Sequence, residues 1–168
     1  MSELFFTAGA VATEIARRLA TIRQPVLDGE GDPIPDDTAL ASAETNIGRK
    51  VMRGRRRLPA DEETPCIIIA EGPDTVEARP GRAPQVYIQQ AYTIDAFDAC
   101  DPDNPNDKAH AMIRDIKRAI FSDGTTLGGQ VKACDYVGRD IGPRPDGVAL
   151  VQARVVINVS YVETLHTP

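Results

Sequence analysis

Near its end the chain alternates in a way that only a half-buried strand explains. Val151, Ala153, Val155, Ile157, Val159 and Tyr161 fall on one side, while Gln152, Arg154, Asn158 and Ser160 mostly fill the other. A period of two places each set on its own face of a β-sheet. A sheet with one apolar face needs a second layer to cover it. The chain must therefore supply that layer, and the rest of the sequence predicts how.

Residues 85–97 repeat the pattern. Val86, Ile88, Tyr92 and Ile94 share a face on which Gln90 is the exception, and Tyr87, Gln89, Thr93 and Asp95 lie opposite. Cys66-Ile67-Ile68-Ile69-Ala70 is instead a continuous apolar run between Pro65 and Gly72, as expected of a strand buried on both faces. A further strand is predicted at 130–137. Two amphipathic helices supply the covering layer. In 3–23, Leu4, Ala8, Val11, Ala12, Ile15, Leu19 and Ile22 form one stripe, with Thr13, Glu14, Arg17 and Arg18 off it and Pro25 as the stop. The second helix opens at Asn104-Pro105 with Asp107 in its first turn. Its apolar face is Ala109, Met112, Ile113, Ile116 and Ile120. Lys108, Arg114, Asp115 and Arg118 lie off that face, and Gly124 ends the helix.

The remaining segments read as connections. Residues 24–40 carry Pro25, Gly29, Gly31, Pro33 and Pro35 among four aspartates and are expected to be a long loop. Residues 72–84 hold Pro73, Pro80, Gly81 and Pro84 and read as a loop, as does Gly138 to Gly147. Residues 46–58 mix Ile47, Val51 and Leu58 with six cations between Arg49 and Arg57. Gly54 disfavours a helix there, so an extended strand or hairpin arm is expected. The predicted fold is a single α+β domain over 1–168: a mainly antiparallel sheet, two helices packed on one face, and long loops or arms.

Composition narrows the function. With 168 residues, the chain can bury roughly 70% of its unfolded surface and needs neither disulfide nor metal to fold. Its formal net charge of −6 argues against free nucleic acid as the main ligand, because that binding rests on neutralising phosphates. Cys66, Cys100 and Cys134 form no CxxC pair, which points to a reducing setting rather than a zinc site. No secretory signal is expected from the N-terminal residues, and no run approaches the roughly 20 apolar residues of a membrane span.

Catalytic templates are missing. The sequence has no GxSxG, GxxxxGK[ST], HExxH or dinucleotide fingerprint. His110 and His166 stand far apart, and neither has an evident partner for general-base work. Asp95, Asp98, Asp101, Asp103 and Asp107 offer oxygen ligands to a hard cation, but lack the order of an EF-hand; the alternative is a solvated loop with a helix cap. Leu127-Gly128-Gly129 is either an anion-binding turn or simply a tight connection. No cofactor is expected and no enzymatic activity. The basic segment admits three readings: a nucleic-acid patch, a contact surface for an acidic partner, or a solvated edge whose charges block stray strand pairing.

In order and texture the chain resembles the tail terminator (tail completion) proteins of long-tailed bacteriophages. The resemblance runs through the short N-terminal helix, the Val51-Met52-Arg53-Gly54-Arg55 arm, Pro65-Cys66-Ile67-Ile68-Ile69 and the strand from Tyr87 to Phe97. It continues through Asp115-Ile116-Lys117-Arg118-Ala119-Ile120-Phe121, Leu127-Gly128-Gly129 and the closing Val159-Ser160-Tyr161-Val162-Glu163. It implies a ring, typically a hexamer, seated on the tail tube. Such a ring ends tube polymerisation, meets the head connector, and lets the genome pass through its lumen without sequence-specific binding. It implies a virion protein assembled in the host cytoplasm, with no catalytic residues. Other head–tail connector, neck or minor tail proteins share the texture. Candidate interface residues are Arg49, Lys50, Arg53, Arg55, Arg56 and Arg57 of the arm, with Asp74, Arg79 and Arg82 of the 72–84 segment.

Overall fold

The computed structural model describes residues 7–34, 37–55, 57–58, 62–78, 84–142 and 147–165. Helix α1 spans Ala8–Leu19 and α2 spans Pro105–Phe121. Strands β1 (Val51–Arg53), β2 (Cys66–Ala78), β3 (Gln85–Ala99), β4 (Ala133–Ile141) and β5 (Leu150–Thr164) form one sheet in the order β1-β2-β3-β5-β4. Only β1–β2 is parallel; the other three pairings are antiparallel. The expected α+β architecture is what the chain adopts.

The buried face of β5 is the predicted one: Val151, Ala153, Val155, Ile157, Val159 and Tyr161 are all at most 2% exposed. They share one core with Val11, Ile15 and Leu19 of α1 and with Met112, Ile113, Ile116 and Ile120 of α2. Both helices therefore cover the same face of the sheet. The apolar run of β2 is buried on both sides, as expected. Ile67 and Ile69 join the main core, whereas Cys66 and Ile68 pack with Met52 and Phe97 in a small cluster on the other face.

Several boundaries differ from the sequence reading. Helix α1 ends at Leu19, short of the expected residue 23. Residues 20–22 taper into tight turns in which Thr21 N–H reaches Arg18 O and Ile22 N–H reaches Leu19 O. Thr7 caps its start, accepting from Ala10 N–H at 3.3 Å. Leu4 lies outside the described residues. Asn104 precedes α2 but makes no side-chain capping bond.

The 72–84 segment is not all loop. Residues 72–78 continue β2 beyond the core, and only 79–83 fall outside the described residues. Gly72 and Pro73 fit because they occupy a bulge between the register pairs Glu71↔Tyr92 and Asp74↔Gln90. The missing proline N–H is tolerated there, where the ladder is interrupted. Gly72 also lies where a Cβ would meet Ala91 O at 2.9 Å. Likewise β4 begins at Ala133 rather than 130 and continues through Gly138 to Ile141, past a bulge at Tyr136/Gly138.

The 46–58 segment is docked rather than a free arm. It forms a 3-10 turn at Ile47–Arg49 and then β1, whose three residues pair with Ile67, Ile68 and Ile69. Gly48 makes the docking possible. Its N–H donates to Ile22 O at 2.8 Å. A Cβ on Gly48 would stand 2.8 Å from Ile22 O and 2.9 Å from Ile22 N, and closer still to Leu19 O. These are backbone atoms that cannot retreat alone. Gly48→Ala is expected to cost about 2 kcal/mol, seen as a lower denaturant midpoint at unchanged slope. A wild-type midpoint would show that the turn gives way freely.

Candidate assembly surface

Two sheet edges and the basic segment carry the features not consumed by the core. Along β2, the side chains of Glu71 and of Pro73–Glu77 are exposed, and Val76 is 54% exposed. β1 pairs only as far as Arg53↔Ile69. Among the described residues, the outer edge of 72–78 has no strand beside it. At the opposite end of the sheet, β4 pairs, among the described residues, only with β5. Its Tyr136 is 42% and its Val137 55% exposed. The Lys117 ammonium lies 5.3 Å from the centre of the Tyr136 ring, a cation–π contact that holds the ring against α2.

The basic segment is largely compensated within the chain. Lys50 pairs with Glu62, Arg55 reaches the same carboxylate at 3.6 Å, and Arg53 binds Glu71 at 3.0 Å and Thr13 Oγ1 at 3.1 Å. The Glu62 carboxylate beside Lys50 pushes that ammonium's pKa up. Arg49 and Arg57 are exposed and make no ion pair among the described residues. Arg56, Arg79 and Arg82 lie outside the described residues. Asp74 is exposed on the open stretch of β2. The structure thus brings Lys50, Arg53 and Arg55 together with two glutamates and sets Asp74 apart from them.

The face of the sheet away from the helices is polar over most of its breadth. Asp95 and Arg154, register partners on β3 and β5, form a bidentate pair at 2.7 and 2.9 Å. Lys132 stands 3.5 Å over the Tyr87 ring. On the helix side, Gln90 is buried with both ends of its amide hydrogen-bonded. Its Oε1 accepts from Tyr92 and Tyr161 hydroxyls at 3.1 and 3.2 Å, and its Nε2 donates to Gly72 O at 3.1 Å. This network ties the β2 bulge to the core, and the alternation showed Gln90 only as an exception.

The candidate chemical groups do not converge. Asp95 is engaged by Arg154, Asp98 by Lys108 at 3.5 Å, and Asp101 accepts from Asp103 N–H at 3.0 Å. No group of three His, Cys, Asp or Glu among the described residues is placed to hold a metal ion. His110 is exposed, and His166 lies outside the described residues. Cys66 and Cys134 are buried free thiols. Burial pushes the Cys134 thiol up to about 12 and raises Cys66 too, so neither is a ready nucleophile. At the Leu127-Gly128-Gly129 turn, a Cβ on Gly128 would meet Arg18 Nη2 and Asp123 Oδ2, each at 3.2 Å. A carboxylate of the chain itself thus sits where an anion was considered.

Sequence periodicity missed three buried charged groups. Glu14 and Arg18, assigned off the α1 stripe, are only 7% and 6% exposed. Arg18 joins Glu14 at 2.8 Å, both Asp123 oxygens at 2.7 Å and Ile120 O at 3.1 Å. Asp115, assigned off the α2 face, is 0% exposed and clamps Glu44 and Thr45. The Asp115 clamp and the Arg18–Asp123 pair join residues 70 to 105 apart in sequence, beyond the reach of any local pattern. The i,i+4 spacing of Glu14 and Arg18 was a local hint to their pair, though not to its burial. No helix among the described residues is long and apolar enough to cross a membrane. No protein-family model matches the sequence, and no curated protein matches it.

Proposed function

We propose that this chain is a structural virion subunit that closes into a ring on the end of a phage tail tube. There it stops tube polymerisation and joins the tail to the head connector, with the genome passing through the lumen. The observation that carries this reading is the outer half of β2. A strand with exposed side chains and an open outer edge is a ready template for pairing with another chain. Paired with a different open edge, β4, it meets the requirement of a heterologous interface, which generates rings when the rotation closes. Resemblance to the tail terminators supplies the tube and the connector as partners. The internal pairing of Lys50, Arg53 and Arg55 favours a structural use of the basic segment over phosphate binding.

Light scattering after size exclusion tests self-assembly directly. A discrete closed oligomer, six subunits in the implied family, is expected at high protein concentration. A monomer at every concentration would sink the self-closing ring. Val76→Lys, which places a charge on the open stretch of β2 at a side chain already 54% exposed, is expected to weaken assembly while leaving the fold's circular dichroism intact. Added to polymerising tail-tube protein, the wild-type chain is expected to shorten the tubes and Val76→Lys to leave their length unchanged.

A further inference from the structure

The geometry points to one specific interface between copies, which rests on the ring reading above: β4 of one copy adds antiparallel to residues 73–78 of the next, with Val137 opposite Val76. Strand direction is the first support. β2 and β5 each run antiparallel to β3, and β4 runs antiparallel to β5, so β4 and β2 run in opposite directions. A copy rotated about an axis along the strands therefore presents its β2 antiparallel to β4, without inversion.

Side chains give the second support. Val76 and Val137 are 54% and 55% exposed, one on each open edge. Setting them opposite one another in antiparallel register places Arg139 against Asp74 and Tyr136 against Glu77. Asp74, Glu77 and Arg139 are exposed and make no ion pair among the described residues. Glu77 then faces the ring that Lys117 overlies. A parallel register through the same valines would instead oppose Asp135 to Asp74, which is repulsive. Pro73 would lie opposite Asp140 at the end of the ladder, where a missing N–H costs least. Beyond it, β1 occupies the β2 edge at 67–69, so the two pairings do not compete.

Closure is the third support. Through Val76↔Ile88 and Ile88↔Tyr161, Val76 is level with Tyr161 on β5. Val137 falls between the partners of Ile157 and Val156. Joining copies through the two valines therefore shifts the register by four to five residues per copy, across the four strands β2, β3, β5 and β4. At about 3.3 Å per residue and about 4.8 Å per strand, this is a tilt of about 35–40°. Closed sheets tilt by roughly 35–45°, so the stagger built into one subunit suits a sheet that runs continuously around the ring.

Cross-linking tests the register. Within one copy, positions 76 and 137 are three strand spacings across and four to five residues along the sheet, about 20 Å apart, too far for a disulfide, which needs Cα atoms within about 7 Å. Val76→Cys with Val137→Cys, on a Cys100→Ser background that leaves only the buried thiols, is expected to give on oxidation a ladder of covalent multimers ending at the ring. Either cysteine alone is expected to give no ladder. Arg139→Asp and Asp74→Arg are each expected to weaken assembly about tenfold or more, and the two together to restore it. A closed wild-type oligomer with neither ladder nor charge-swap rescue overturns this pairing and leaves the ring. A wild-type chain that never oligomerises overturns both.

Discussion

Replacing Arg18 with alanine is expected to lower the stability of the fold by about 3 kcal/mol, because it removes the charged hydrogen bonds that tie α1 to the end of α2 and leaves a gap in their place. Arg18 shares Glu14 with Arg17, which donates to both carboxylate oxygens at 2.7 Å. It also closes α1 onto the end of α2 through Asp123 and Ile120 O. Removing it leaves Ile120 O and the Asp123 carboxylate without the guanidinium, and an unfilled gap between the helices. Arg18→Met refills much of the gap without restoring the bonds and is expected to recover only part of the loss. Full recovery in Arg18→Met would show that packing, and not the hydrogen bonds, sets the cost.

The same cluster sets an acid limit. Hydrogen bonds from Arg17 and then Arg18 hold the Glu14 carboxyl below its ordinary range despite burial, and Arg18 does the same for Asp123. Both carboxyls have folded pKa values below their unfolded ones. Their contribution is therefore complete above the unfolded values of about 4 and is lost as pH falls through the folded ones. The melting temperature of the wild type is expected to drop on acidification below about pH 4. In Arg18→Ala the drop attributable to these groups is expected to shrink.

What the sequence revealed and what it concealed divide along physical lines. The β5 alternation, the β2 apolar run and the α2 stripe are local patterns enforced by one large core, and each was read correctly as to type and buried face. The strand residues 72–78 and 138–141 were hidden behind Gly72, Pro73 and Gly138. Those residues signal turns, yet in both strands they sit at or beside a bulge. The basic segment was visible as charge, but its pairing to Glu62 and Glu71 depends on the parallel docking of β1. Non-local pairing of this kind leaves no period in the sequence. The open edges of β2 and β4 were likewise out of reach, because an edge is defined by the strand that is absent beside it.

Asp115 shows how such a concealed contact organises the assembly surface from a distance. Its Oδ2 accepts from Glu44 N–H at 2.9 Å, Thr45 N–H at 2.8 Å and Thr45 Oγ1 at 2.8 Å. Its Oδ1 hydrogen-bonds to nothing among the described residues, with Arg118 at 3.8 Å. Arg118 in turn donates to Ser42 O at 3.1 Å, and Arg114 binds Glu44 at 3.0 Å. Together these contacts staple residues 42–45 to α2, and the chain runs from that staple directly into the Gly48 turn and β1. Asp115→Ala is expected to cost about 3 kcal/mol, since it orphans two backbone N–H groups and a hydroxyl that were bonded to a charged acceptor. Asp115→Asn keeps an acceptor and is expected to cost about half as much. Amide exchange at Glu44 and Thr45 is expected to accelerate in both, and at Ile67 by a smaller factor, because its N–H donates to Lys50 O at 2.8 Å just before β1. A neutral or stabilising Asp115→Ala would mean that burying this carboxylate costs as much as its three bonds return. β1 would then owe its position on the β2 edge to Gly48 and the isoleucine ladder alone.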